Sequence, residues 1–550
     1  MNPREKLAFK FNITEIVIIF CVVLFAGILR IPSLPQPLGP DQGIMSVIGE
    51  GILQGKLPYK DFWEMGSPAI FFTYALMFKI FGVSMVAIPI TDILVSMLTT
   101  FLIFLLANSL WNRKVGYVSA LLFAFFSNGV RFGMHAGGDI AFGTFWYIAQ
   151  RETFMLPLIV ASIYFIIESK RKDKPSWRLI LSGFLAGLAF VYKFPALLIF
   201  LCLLLYLNFG ILTTNVQSKA RLLIKKNLIL ISGFILSLIP FVLFFYHNGA
   251  LKEMTDVIFK YVSSVYGKLD HNYLGTIKTG LIRTYFIAIE NFILWIFFIT
   301  SSVYIIANER NKENLLVVVW AIASVLFVIS HREFFGYHYM LILPPFTILS
   351  GYGVVKALGP NLNFKRMFTE EFEKVFIIGS LLVNLTFFTT LNFMHYTKFY
   401  YYITDKISQE TYYNFFNAYP KHDYSFPADY KVAQYIKTNT DSDDLIYALG
   451  GIESVIYFLT KRKSPSRFIF SWILFSKSHG QVKQAEEYRQ ELLINLKTKK
   501  PKYIIIVRSL NNFEKFPAIY NFIRTNYVLE KTFPYDRLLY VYNKYKHNAL

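Results

Sequence analysis

Residues 30–82 read RIPSLPQPLGPDQGIMSVIGEGILQGKLPYKDFWEMGSPAIFFTYALMFKIFG. A Pro/Gly-rich turn leads to Asp41. An amphipathic stretch from Gly43 to Leu53 follows, then GKLPYKDFWE, then Pro68 and an apolar stretch from Ile70 to Phe81. The spacing predicts a short helix over 43–53. The 70–81 stretch is short for a bilayer, follows Pro68 and contains Lys79, which predicts an interfacial or re-entrant helix. The whole segment lies between two apolar runs, 14–31 and 86–107, as a loop over 32–85. A loop of this length among otherwise short connections points to function.

Outward from this loop, the chain reads as a membrane protein. Of its 550 residues 55% are hydrophobic and only 17% charged, against about 25% charged in soluble domains. Disordered, collagenous and disulfide-stapled classes are excluded. Further apolar runs lie at 115–130, 153–168, 178–192, 196–212, 227–246, 284–307, 315–330, 339–357 and 375–394, for about eleven spans. Lys193 and Pro195 interrupt the 178–212 pair. The first run carries Arg4, Lys6 and Lys10 before it and no small-residue cleavage site after it, so it reads as an uncleaved helix with a cytoplasmic N-terminus. That parity puts Arg113 and Lys114, the cluster Lys170 to Arg178, Lys219 to Lys226, and Lys365 to Lys374 in short inner loops, as the positive-inside rule expects. The net charge of +21 is thereby explained by membrane-flanking loops, and no nucleic-acid partner is expected. The same parity places everything after residue 394 outside.

That last part changes character. Long apolar runs stop, and a helix near Asp429–Lys437 precedes a strand at Leu445–Leu449. A polar amphipathic stretch, Gln481–Leu496, precedes a second strand at Tyr503–Val507. NYVLEKTF and RLLYVY read as further strands. Strands alternating with helices predict a small α/β domain over 395–550, after a membrane domain over 1–394. The two cysteines, Cys21 and Cys202, both lie in apolar runs and read as core residues.

The 32–85 loop resembles that of the GT-C membrane glycosyltransferases, in particular glycosyltransferase family 39, the group of protein O-mannosyltransferases and lipid A aminoarabinose transferases. The matching positions are Asp41, Gly55, Pro58, Tyr59, Asp61, Trp63, Glu64, Pro68, Phe81 and Gly82, with QRETFMLP (150–157), GLAFVYKFPALL (187–198) and REFFGYHYMLILPP (332–345) further on. The chain departs from the pattern in two places: Gln42 follows Asp41 where many relatives have a second carboxylate, and Met65, Gly66 and Ser67 precede Pro68 where many have a lysine. The resemblance implies a mainly α, polytopic GT-C-like fold with a C-terminal extracytoplasmic α/β domain. It implies an inverting hexosyl- or pentosyltransferase that moves a sugar from a polyprenyl-phosphate donor to a lipid, glycan or protein acceptor, in a bacterial inner membrane. No cofactor is implied, and a divalent metal stays open.

Such chemistry needs a carboxylate to orient or deprotonate the acceptor hydroxyl, and cations to hold the leaving phosphate. Asp41 is the candidate base; its alternative reading is a loop carboxylate capping the next helix. Glu64 and Glu152 are further catalytic candidates, against solvated or ion-paired charge. Lys193, in an otherwise apolar stretch, is a candidate for the lipid phosphate; the alternative is an interfacial snorkelling lysine. Arg332, His338 and Tyr339 near one span end, Arg151 at another, and Asp61 and Tyr59 in the loop complete the candidate substrate contacts. His135 and Asp139 share the glycine-rich segment GMHAGGDIAFG, whose glycines argue against a helix that would pair them on a metal. Two other classes compete: a transporter of lipid-linked sugars, which should show broken helices or charges at mid-bilayer, and a non-catalytic scaffold of envelope assembly.

Overall fold

The computed structural model describes residues 11–128, 148–170, 177–213, 218–264, 273–309, 311–330, 334–358, 379, 393, 395–416, 424–475 and 483–546. Arg332, His135, Asp139 and, apart from residues 379 and 393, the run at 375–394 lie outside them.

Helix α1 (Ile13–Ile28) opens with a reciprocal cap: Glu15 N–H donates to Asn12 Oδ1 and Asn12 N–H to Glu15 Oε2, each at 2.9 Å. The outer-loop segment contributes α2 (Pro40–Leu53) and α3 (Ala69–Phe81). Then follow α4 (Ala87–Leu110), α5 (Arg113–Phe126), α6 (Arg151–Glu168), α7 (Trp177–Tyr192), α8 (Leu197–Leu212) and α9 (Lys219–His247). Beyond them lie helices at Tyr273–Glu290, Phe292–Tyr304, Lys312–Ser330 and Leu343–Ala357. Among the described residues seven helices are long and apolar enough to cross a bilayer. Those at the expected spans 115–130, 153–168 and 178–192 are present but shorter or more charged. The chain is an integral membrane protein of mainly helical fold.

Two expectations are corrected. The helix expected over 43–53 begins at Pro40, so Asp41 lies within its first turn rather than ahead of it. Proline at the first helical position is pre-set for helix, and Gln42 closes the end by accepting the Gly39 N–H at 2.5 Å. The single span expected over 284–307 is divided at buried Asn291, whose side-chain amide donates to the Ile287 carbonyl at 2.9 Å. An amide that competes for backbone groups disfavours helix interiors, and hydropathy averaged over the run hides one such residue.

Helices α7 and α9 pack closely. A Cβ on Gly183 would stand 2.0 Å from the Leu230 carbonyl oxygen, and one on Gly233 would stand 2.1 Å from that of Ile180. Only glycine admits this approach of two helix backbones. Lys193 then ends α7, and a 3₁₀ turn (Phe194–Ala196) leads into α8.

The C-terminal part forms a four-stranded sheet of β1 (Ile446–Leu449), β2 (Tyr503–Val507), β3 (Tyr527–Phe533) and β4 (Arg537–Tyr542), in the order β1-β2-β4-β3. β1 and β2 are parallel, with Ile446 beside Tyr503, and the other pairs are antiparallel. Every residue of β1 and β2 is buried, as unbroken apolar strands under helices should be. Helices Phe426–Asn439, Ser454–Thr460 and Lys483–Lys499 accompany the sheet, so the α/β expectation holds.

Candidate active site

Four stretches of chain meet at one cluster. Arg151 and Glu152 open α6, and each takes a partner from elsewhere. The Arg151 guanidinium lies 3.3 Å from Glu64 Oε1 in the outer loop. The Lys193 ammonium is hydrogen-bonded to Glu152 Oε1, and His338 Nε2 stands 3.9 Å from the same oxygen. Asp41, half-buried, accepts a hydrogen bond from the Gln150 side chain and faces Arg151, Lys193 and Glu152. Lys193 also lies 5.5 Å from the centre of the Tyr337 ring.

Local sequence explains how these groups reach each other. Gly66 N–H donates to Glu64 Oε1 at 2.9 Å. A Cβ at Gly66 would fall 1.9 Å from Arg151 Nη2, so the guanidinium lies directly over Gly66 and a larger residue there would push it aside. Gln42 does two things: its carbonyl caps α2, and its Nε2 donates to the Ile148 carbonyl at 2.7 Å. A glutamate there could not make the second bond, because an ionised carboxylate has no donor.

Burial is the largest influence on the Asp41 carboxyl and raises its pKa. Arg151, Lys193 and the Gln150 hydrogen bond oppose that rise, and Glu152 adds to it. Glu64 is also raised, first by burial; Arg151 and the Gly66 N–H pull it back. Both carboxyls thus lie above their ordinary range through burial, with the neighbouring cations limiting the rise.

Of the candidates drawn from the sequence, Asp41, Glu64, Arg151, Glu152, Lys193 and His338 converge. Asp61, Tyr59 and Tyr339 have other engagements. Asp61 is exposed and accepts the Leu57 N–H at 2.7 Å. Tyr59 is fully buried at φ 68°, with its hydroxyl donating to the Gly66 carbonyl at 2.7 Å. The Tyr339 hydroxyl pairs with Thr284 Oγ1 at 2.8 Å. Arg332 lies outside the described residues. Gln150 and Asp92 were not singled out from the sequence, and Gln42 stood out only as a departure from the family pattern. A carboxylate inside an apolar run, as Asp92 is, was the available signal. Among the described residues no group of three or more His, Cys, Asp or Glu is placed to hold a metal ion.

The C-terminal domain rests on the same loop. Trp63 N–H donates to the Arg467 carbonyl at 2.8 Å and Arg467 Nη1 to the Tyr59 carbonyl at 3.2 Å. Lys461 pairs with Glu50 at 2.7 Å, the Tyr424 hydroxyl donates to the Leu38 carbonyl at 2.6 Å, and a Cβ on Gly43 would be 3.0 Å from Val455 N.

Residues 66–247 match the family model of dolichyl-phosphate-mannose-protein mannosyltransferases. Residues 428–544 match the family model of the Ccs4 C-terminal domain, named for a competence-induced protein. No curated protein sequence matches the chain. Among solved structures, ArnT from Cupriavidus metallidurans in the apo state superposes with a TM-score of 0.53 at 12% identity, over 96% of this chain and 97% of that one. ArnT from the same organism bound to undecaprenyl phosphate gives the same values. The fold is that of the GT-C glycosyltransferases, and the chain resembles family 39.

Proposed function

We infer that the protein is a glycosyltransferase that takes a sugar from a polyprenyl-phosphate donor and passes it to an acceptor hydroxyl on the outer face of a bacterial inner membrane, with inversion. The observation that carries this reading is the half-buried Asp41 carboxyl set beside two cations, Arg151 and Lys193, at helix ends in a GT-C fold. The resolved complex of ArnT with undecaprenyl phosphate supports a lipid-phosphate donor for this chain.

In this scheme the acceptor oxygen attacks the anomeric carbon, its proton passes to Asp41, and the bond from that carbon to the phosphate oxygen breaks. Polyprenyl phosphate leaves. An ammonium carries three donors; Glu152 takes one from Lys193, and the others serve the phosphate. Arg151, lying over Gly66, supplies a cation where the family pattern has a lysine before Pro68. Glu64 and Glu152 hold the two cations in place, and His338 steadies Glu152. Arg332 is a further candidate for the phosphate, and Asp61, Tyr59 and Tyr339 support the walls. The domain over 395–550 sits outside the membrane and covers the acceptor's approach to the domain over 1–394.

The test is consumption of donor. Purified protein is offered a panel of undecaprenyl-phosphate hexoses and pentoses together with an extract of bacterial envelope lipids, glycans and proteins as the source of the acceptor hydroxyl, and released undecaprenyl phosphate is measured by mass spectrometry. Wild type is expected to release it from at least one donor and Asp41→Asn from none. Equal release by both would remove Asp41 from the chemistry.

A further inference from the structure

Residues 148–150 precede the cluster, and an unusual number of buried groups hold them. Ala149 adopts φ 50°, a left-handed conformation that a residue with a Cβ takes up only at a cost. Its N–H donates to Asp92 Oδ1 at 2.8 Å, and its carbonyl accepts from the Tyr74 hydroxyl at 3.1 Å. The preceding Ile148 carbonyl accepts from Gln42. Asp92 is itself fixed: its other oxygen meets Arg30 Nη1 at 3.1 Å, and Arg30 Nη2 reaches Ser127 Oγ at 3.2 Å and the Ser127 carbonyl. Asp92 and Arg30 are 2% and 4% exposed. A buried ion pair between two apolar helices is expensive to keep, and this one spends its second carboxylate oxygen on a single strained peptide. The next residue is Gln150, whose amide meets Asp41; the two after it are Arg151 and Glu152.

We propose that Asp92, held by Arg30, is a positioning residue for the candidate base: it locks the Ala149 peptide so that the Gln150 amide donates to the Asp41 carboxylate. Asp92 touches neither donor nor acceptor. It acts through the chain direction at residue 149, and Tyr74 and Gln42 share the task. The inference rests on the glycosyltransferase reading only for what Asp41 does; the coupling itself is a property of the fold. Asp41 is faced by Arg151 and Glu152 from α6, Lys193 from the α7–α8 joint, Glu64 from the outer loop and Tyr74 from α3. None of these charges is altered by removing Asp92 or Gln150.

The experiment reads Asp41 without any sugar. Dicyclohexylcarbodiimide adds to protonated carboxyls in apolar surroundings, and peptide mass spectrometry of the full-length protein in detergent gives the pH at which Asp41 labelling falls by half. A hydrogen bond to the charged form favours that form, so Gln150→Leu is expected to move the midpoint up by about one pH unit. Asp92→Ala is expected to move it in the same direction and by a similar amount. The double variant is expected to move no further than Gln150→Leu alone, since both changes break one interaction. The pair Arg30→Gln with Asp92→Asn keeps an acceptor for Ala149 and leaves no buried unpaired charge, and is expected to return the midpoint to the wild-type value. Where Asp92→Ala fails to accumulate, Tyr74→Phe loosens the same peptide from its other side and is expected to give a smaller upward shift that Gln150→Leu likewise absorbs. An unmoved midpoint in Gln150→Leu, or additive shifts in the double variant, would overturn the proposal. Failure of wild type to bind undecaprenyl phosphate would overturn the functional reading and leave this coupling standing.

Discussion

Two clusters of buried charge in this molecule use the same groups differently. In the C-terminal domain Arg537 lies between Asp429, at 2.8 Å, and Glu453, at 3.5 Å, with side-chain exposures of 1% for the arginine and 0% for both carboxylates. In the membrane half Arg151 and Lys193 face Glu64 and Glu152, and their side chains are 15% and 14% exposed. The first cluster is assembled within one small domain and sealed, so an outside ligand has no route to its arginine. The second is drawn from the outer loop, α2, α6 and the α7–α8 joint, and its cations remain reachable. Sealed charge fixes a fold; reachable charge is where an anionic substrate can compete for the same cations. This difference, more than charge count, is the ground on which we propose the membrane cluster as the functional one.

The sharpest way to break the comparison is Asp41→Asn. Loss of a general base costs about 10²- to 10⁴-fold, and transfer is expected to fall within or beyond that range while undecaprenyl-phosphate binding stays within about twofold. The same variant tests burial. The raised Asp41 pKa means that the folded state binds this proton more tightly than the unfolded state. Its contribution favours folding below the ordinary carboxylate pKa and is lost as pH rises through the raised value. Asp41→Asn is therefore expected to raise the melting temperature at neutral pH and to leave it nearly unchanged under acid conditions, as followed by thermal unfolding in detergent.

Arg537→Ala comes next. Stranding two buried carboxylates should cost about 3–5 kcal/mol, visible as early proteolysis within 424–546. Lys193→Ala is expected to act on the ligand instead: a charge-assisted hydrogen bond is worth about 1.5–3 kcal/mol, so undecaprenyl phosphate should bind about 10- to 100-fold more weakly. Stability should fall less than in Arg537→Ala, because His338 remains near Glu152. If the two variants exchanged these effects, the contrast between sealed and reachable charge would be wrong. The smallest effect is expected for Gln42→Glu, which keeps the cap of α2 and loses the bond to the Ile148 carbonyl. One net hydrogen bond of about 1 kcal/mol predicts roughly a fivefold loss of transfer.

Much of the fold is legible in the sequence because hydropathy and periodicity are local. Tyr503–Val507 is apolar throughout, and a strand buried on both faces has to be. The paired helices around Lys193 follow from Pro195 and the apolar runs beside it. The division at Asn291 is not legible, since one amide barely alters the hydropathy of its run. The site is partly legible. Asp41, Glu64, Arg151, Glu152, Lys193 and His338 attract notice as polar groups beside apolar stretches. Which carboxylate meets which cation is not encoded locally: Glu64 and Arg151, or Glu152 and Lys193, are brought together only by the packing of α6, α7 and the outer loop. Asp61, Tyr59 and Tyr339 carry the same motif signal, yet their hydrogen bonds serve neighbouring backbone or Thr284. Ala149 gives no polar signal at all, and its role emerges only from its φ and its two partners.

The central claim is that the reachable cations hold a lipid phosphate. Native mass spectrometry of the purified chain with undecaprenyl phosphate tests it most directly, with undecaprenol and phosphatidylglycerol as controls and Lys193→Ala and Arg151→Ala as variants. The account predicts selective binding of undecaprenyl phosphate by wild type, weakened in both variants. Equal retention of undecaprenyl phosphate and phosphatidylglycerol by wild type, unchanged in the variants, would contradict it.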